Sequence, residues 1–266
     1  MNDLRKDSNR SLLNIDKLSI SFGGLRAVSN FSMKMERKDL AGLIGPNGAG
    51  KTTIFNMLTG VYRPQEGEIR LEDISLIGLP PYKINRLGVA RTFQNIRLFN
   101  DLSVLDNVKI AYQYRGRYSW DKAILRSKTY HQKEKEIDDW SKEILAIFSL
   151  QDKAGEMAKN LPYGAQRRLE IARALVGKPK LLLLDEPAAG MNPQETKDLM
   201  NLVKKIREKF DLTILLIEHD MSFVMSICEK ITVLDYGQTI AEGIPAEIKN
   251  NPRVIQAYLG GEAPNA

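Results

Sequence analysis

Cysteine is nearly missing from this chain: Cys228 is the only one in 266 residues. An internal disulfide is therefore excluded, and a lone thiol fits a reducing compartment. Long apolar runs are missing too. Unbroken ones such as Leu181-Leu182-Leu183-Leu184 are short, against the roughly 20 residues that a membrane-spanning helix needs. Residues 1–10 are polar and lack the apolar centre of a signal peptide. These absences lead to the expectation of a cytoplasmic protein. No block of Lys and Arg with interleaved aromatics occurs. The net charge of +6, from 39 basic and 33 acidic residues, thus does not choose between nucleic acid, anionic lipid and a nucleotide's phosphates. No internal repeat is visible. What is present suffices for a core, since 43% of the residues are apolar.

The chain is organised around Gly45-Pro46-Asn47-Gly48-Ala49-Gly50-Lys51-Thr52-Thr53. This stretch fits the phosphate-loop pattern G-x-x-x-x-G-K-[ST]. Glycines let successive N–H groups converge on one centre, which suits phosphate oxygens. Lys51 then reaches the β- and γ-phosphates, and the Thr52 hydroxyl is a Mg²⁺ ligand. A glycine-rich turn would match by chance in roughly one chain of this size in a hundred. Context narrows the choice: residues 40–45 read as a short buried strand, and residues 53–59 as a helix closed by Gly60. Strand, loop and helix are what a phosphate loop requires.

Upstream, residues 13–35 alternate as strands around Gly23-Gly24, a hairpin pattern. Phe22, on position alone, is either core or a ring that stacks on a base. Downstream, Arg63-Pro64-Gln65-Glu66-Gly67 is a turn, residues 68–71 a peripheral strand, Pro80-Pro81 a break, and residues 89–94 a strand ending on Gln94. From about residue 95 to 161 helix formers and charge dominate. Ile137, Trp140, Ile144, Leu145 and Phe148 recur at helical spacing as a packing face. Residues 115–135 read as a charged, solvated helical segment. Gly164 is expected to turn the backbone just before a helix that starts near Arg167. Residues 180–187 form a buried strand that ends in Asp185-Glu186. A parallel strand ends at the edge where ligands bind, so these carboxylates face the phosphates. Residues 193–209 are a helix and residues 212–217 a second buried strand that leads to His219. An isolated histidine is more often structural than catalytic, but this one shares a strand-end position with Asp185. A hairpin around Tyr236-Gly237 and a helix over 245–259 close the chain.

In this order the motifs resemble the ATP-binding subunit of ABC transporters. Residues 45–53 look like the Walker A loop, 181–186 the Walker B strand and Gln94 the Q-loop glutamine. Residues 161–166 look like the signature motif, His219 the switch histidine and Phe22 the adenine-stacking aromatic. Within the family the likeness is greatest to ATPases of branched-chain amino acid importers. It rests on Leu161-x-Tyr163-Gly164, on Ala188-Ala189-Gly190-Met191-Asn192-Pro193, and on the ending over 251–260. The resemblance implies an α/β fold, a P-loop NTPase core with a peripheral antiparallel β subdomain and an inserted helical subdomain. Residues 12–260 would form one domain with the insert near 95–170, between a polar segment, 1–11, and a tail, 261–266. It also implies ATP and Mg²⁺ as ligands, with Thr52, Gln94 and Asp185 around the metal. Glu186, His219 and Gln94 would be catalytic. Tyr163, Gly164, Ala165 and Gln166 would act on the nucleotide of a second subunit, in a homodimer or a heterodimer. Two positions depart from the family pattern: Tyr163 replaces the signature serine, and Asn192 replaces the aspartate after Walker B.

Since no segment can cross a membrane, the implied partners are integral membrane permeases and, beyond them, a solute-binding protein. The expected location is the cytoplasmic face of the membrane. Urea or amide importers and lipid exporters have a similar appearance. A soluble relative acting on nucleic acid is disfavoured, because such proteins carry two cassettes or long coiled coils. No Asn-Lys-x-Asp guanine motif occurs.

Overall fold

The computed structural model describes residues 11–113 and 128–259. Alternating residues in Ser11–Phe22 (β1) and Leu25–Glu36 (β2) fold into the antiparallel hairpin expected around the two glycines. Glu66–Leu71 (β4) pairs with the other edge of β1, and Ile74–Ser75 (β5) with β4, giving a sheet ordered β2-β1-β4-β5. A second sheet is built from Leu40–Ile44 (β3), Val89–Arg91 (β6), Leu181–Asp185 (β7), Thr213–Ile217 (β8), Lys230–Asp235 (β9) and Gln238–Gly243 (β10). Its order is β10-β9-β3-β8-β7-β6. Every neighbouring pair from β9 to β6 is parallel, and only β10 runs antiparallel, as the return of a hairpin.

Continuous apolar runs make β3, β7 and β8 strands that are buried on both faces. Alternation along each strand then divides the core in two. Leu182, Leu184, Ile214 and Leu216 pack with helices Val104–Gln113 (α3), Lys128–Ile147 (α4), Tyr163–Val176 (α5) and Pro193–Phe210 (α6). Leu181, Leu183, Leu215 and Ile217 face the antiparallel sheet and helix Lys51–Leu58 (α1). The predicted face of α4 is buried as expected: Ile137, Ile144, Leu145 and the following Phe148 are in the core, and Trp140 donates from Nε1 to the Val176 carbonyl at 3.0 Å. Much of the charged 115–135 stretch lies outside the described residues.

Three expectations are corrected. Pro80-Pro81 does more than break the chain: Pro81 opens helix Pro81–Leu87 (α2), because a proline at the first position loses no helical hydrogen bond. Strand β6 stops at Arg91, three residues short of Gln94, which leaves Gln94 on an exposed loop. The predicted 245–259 helix is two helices, Pro245–Lys249 (α8) and Pro252–Leu259 (α9). Asn251 Oδ1 accepts from the N–H groups of Arg253 and Val254, capping α9 where Pro252 prevents α8 from continuing. Between β8 and β9 lies helix Met221–Ile227 (α7).

Candidate active site

Parallel pairing aligns the carboxyl ends of β3, β8, β7 and β6 along one edge, in that spatial order. The 45–53 loop follows β3, His219 follows β8, Asp185-Glu186 closes β7, and Gln94 follows β6. Four stretches far apart in sequence therefore converge.

The loop winds tightly into α1. Gly45 has φ 150°, and a Cβ there would lie 2.1 Å from the Leu234 carbonyl oxygen, so only glycine fits. Pro46 is half-buried, Asn47 and Gly48 are exposed, and Ala49 is buried. Gly50, left-handed, is the N-cap of α1, so the first N–H groups of the helix open towards the loop. Lys51 is 7% exposed, and its Nζ donates to the carbonyls of Gly45 at 2.7 Å and Pro46 at 2.9 Å. Burial lowers the affinity of Lys51 for its proton, and the nearby charges of Glu186 and Asp185 oppose that effect. Thr52 is exposed at the first turn of α1, and Thr53 is half-buried beside it.

Glu186 takes the unusual φ of 45° directly after β7. Its N–H donates to the Ile217 carbonyl at 2.9 Å, and its Oε2 accepts from Gln94 Nε2 at 2.8 Å and lies 3.7 Å from His219 Nδ1. Glu186, Gln94 and His219 thus meet, with His219 exposed on the solvent side. Asp185 has a different partner. Its Oδ2 accepts from Arg91 Nη2 at 2.7 Å, and both side chains are at most 6% exposed. Among the described residues no group of three or more His, Cys, Asp or Glu is placed to hold a metal by itself. The oxygen donors available, Thr52, Gln94 and Asp185, are the hard type that Mg²⁺ takes alongside phosphate oxygens.

Phe22 is 44% exposed at the end of β1, and its ring meets Tyr62 edge-on at 5.1 Å. It is not core: much of its ring remains exposed. The stretch over 161–166 differs from expectation in its start. Helix α5 begins at Tyr163, so Gly164 lies in the first turn rather than in a preceding bend. The fit is close: a Cβ there would lie 2.6 Å from Glu195 Oε1 and would push that carboxylate aside. Ala165 is buried, Gln166 Nε2 donates to the Leu161 carbonyl at 2.9 Å, and the half-exposed Tyr163 ring lies along Gly190. The Tyr163 hydroxyl accepts from Arg167 Nη2 at 3.3 Å, so it turns inward on its own chain. Asn192 caps α6: its Oδ1 accepts from Glu195 N–H, and Glu195 Oε2 accepts from Asn192 N–H, both at 3.0 Å.

Several residues at the site carry no clear mark in the sequence. Arg91 pairs with Asp185, donates to Asn56 Oδ1 at 2.7 Å and stacks on Phe55 and Phe93. Its one signal is a charge inside an otherwise apolar strand. Glu218, fully buried after β8, accepts from the N–H groups of Ala188 and His219 and so ties the β7 and β8 loops together. Desolvation raises its carboxyl's pKa, opposed by those hydrogen bonds. Tyr258 of α9 is buried enough for its phenol's pKa to rise, with the Gly45 backbone opposing, which sets α9 beside the loop. Nothing local announces either contact. Behind the Gln94 loop lies a groove of about 430 Å³, lined by Arg91, Phe93, Arg97, Phe99, Glu170 and Arg173 among others.

Residues 28–189 match the family described as ABC transporter, and residues 238–264 match the branched-chain amino acid ATP-binding cassette transporter family. The high-affinity branched-chain amino acid transport ATP-binding protein BraF of Pseudomonas aeruginosa is 45% identical, covering 94% of this chain and 98% of that protein. The high-affinity branched-chain amino acid transport ATP-binding protein LivG of Salmonella typhimurium is 47% identical, again covering 94% of this chain and 98% of that protein. A crystal structure of the ADP conformation of an ATP-binding cassette of an ABC transporter superposes with a TM-score of 0.82 at 29% identity, covering 94% of this chain and 99% of the other. The chain belongs to the ABC transporter family and is one of its ATP-binding, ATP-hydrolysing subunits.

Proposed function

We propose that ATP is hydrolysed at the edge formed by β3, β8, β7 and β6, within a head-to-tail pair of cassettes. The observation that supports this best is the Glu186 carboxylate, poised 2.8 Å from Gln94 Nε2 and 3.7 Å from His219 Nδ1. Lys51 and the N–H groups of residues 45–53 hold the β- and γ-oxygens, and Phe22 offers its ring to the base. Glu186 orients and deprotonates the attacking water, and His219 contacts the γ-phosphate. Thr52, Gln94 and Asp185 would hold Mg²⁺, which would offset negative charge on the phosphoryl oxygens. Positioning is most of what phosphoryl transfer asks of a protein. Tyr163, Gly164, Ala165 and Gln166, at the N-terminus of the 14-residue α5, complete the site of the partner subunit.

Residues 12–260 act as one cassette, with 95–170 as its helical insert, at the cytoplasmic face of the membrane. The transported solutes are branched-chain amino acids, as the names of the relatives suggest. The groove behind the Gln94 loop, between sheet and insert, is where a membrane permease docks. Glu186→Gln is expected to bind Mg·ATP with unchanged affinity and to lose about 10²–10⁴ in kcat. Uptake of labelled leucine by cells relying on this subunit stops with it. Hydrolysis at the unmodified rate would reject Glu186 as the base, and undiminished leucine uptake would reject the solute.

A further inference from the structure

Among the described residues, the bulkiest side chain with no exposed surface is a charged one, Arg167 in α5. A guanidinium removed from water is costly unless most of its donors find partners; here Nε has none, and the two terminal nitrogens make the contacts. Arg167 Nη1 donates to the Phe93 carbonyl at 2.6 Å and to Glu170 Oε2 at 2.9 Å. Its Nη2 donates to the Gln94 carbonyl at 2.8 Å and to the Tyr163 hydroxyl at 3.3 Å. Glu170, one turn further along α5, accepts at Oε1 from the N–H groups of Phe93 at 3.3 Å and Arg97 at 3.2 Å. An ion pair three residues apart on one helix can satisfy itself. This one instead sends four hydrogen bonds into the backbone on both sides of Gln94.

We propose that Arg167 and Glu170 form a clamp by which α5 sets the position of Gln94 against Glu186, so that Arg167 is a positioning residue for hydrolysis. The clamp rests on the roles proposed for Gln94 and Glu186 and adds what holds them in register. The N-terminal turn of α5 bears residues 163–166, while its second turn grips the Gln94 loop. A tilt of α5 therefore moves the loop directly, without intervening apolar packing. Glu170 also lines the groove behind the loop, so pressure there reaches the same pair.

The test replaces both charges at once, Arg167→Met with Glu170→Met, because buried ion pairs tolerate paired apolar substitution far better than loss of one partner. Hydrogen–deuterium exchange reads the clamp without requiring activity. The amides of Phe93 and Arg97 are expected to exchange at least about tenfold faster in the double variant. In the ATPase assay kcat falls about tenfold or more, while KM for ATP changes by less than about twofold. On a Gln94→Ala background the double change adds nothing further to the loss. Unchanged exchange at those amides overturns the clamp, and so does a fully additive loss with Gln94→Ala. If the double variant does not fold, Arg167→Lys serves: its point charge cannot bridge two carbonyls. It should lower kcat on the unmodified background and not on Gln94→Ala; any other pattern overturns the proposal. An unmodified chain that hydrolyses no ATP with its membrane partners would instead overturn the proposed active site, leaving the exchange experiment to decide the clamp.

Discussion

In the proposed site, Lys51 is the residue expected to govern nucleotide affinity. Its ammonium is almost fully buried and already held by two carbonyls of its own loop, so it is oriented before any phosphate arrives. A charge-assisted hydrogen bond is worth about 1.5–3 kcal/mol. Lys51→Ala should therefore weaken Mg·ATP binding by roughly 10- to 100-fold, as read by titration with a fluorescent nucleotide; equal affinity would remove Lys51 from its role. Glu218 yields a pH prediction. Desolvation raises its pKa in the fold, so the native state keeps the proton where the unfolded chain releases it. Stability from this group is then greatest below the ordinary 4.5 and is lost as pH climbs from there through the raised value. Glu218→Gln keeps an acceptor for the Ala188 N–H and removes that titration. Urea unfolding across this range should show a shallower fall in stability for the variant, and identical slopes would contradict the assignment.

At the scale of elements, Asn192 has a structural role that either asparagine or aspartate can fill. Helix α6 needs an N-cap directly after the β7 loop, and asparagine supplies it through a reciprocal box with Glu195. Aspartate performs the same capping and adds a charge that the helix N-terminus favours. Asn192→Ala is expected to cost about 0.5–2 kcal/mol, whereas Asn192→Asp should match or slightly exceed the unmodified stability. Thermal unfolding of the three proteins distinguishes this from a position with no capping role, for which all three would melt together. The 45–53 loop shows a related economy of parts. Gly237 N–H donates to the Ala49 carbonyl at 3.0 Å, so the β9–β10 hairpin braces the loop from behind.

For the whole molecule, the exposed Tyr163, in the first turn of α5, lies on the surface that the proposed head-to-tail pair would cover with a second cassette. With hydrolysis blocked by Glu186→Gln, Mg·ATP should shift the protein from monomer to dimer in sedimentation, and Mg·ADP should not. A stable pair buries about 1,200–2,000 Å², enough to survive the experiment. Monomers under both conditions, even with the membrane partners present, would dismiss the head-to-tail site.

The sequence by itself determined the phosphate loop, the paired carboxylates and most of the strands and helices, though not α2, α7 or the break between α8 and α9. Those signals are local, a matter of glycine spacing and apolar periodicity within a dozen residues. It also carried the fold class, because six motifs in one order resemble a single family. Only the tertiary structure decided that Arg91 faces Asp185, that Glu218 joins two strand-end loops and that Arg167 grips the backbone beside Gln94. Each of those pairs joins residues 30 to 94 positions apart. Parallel strand register and the packing of α5 beside β6 bring them together, and no short window of sequence encodes which buried charge will meet which.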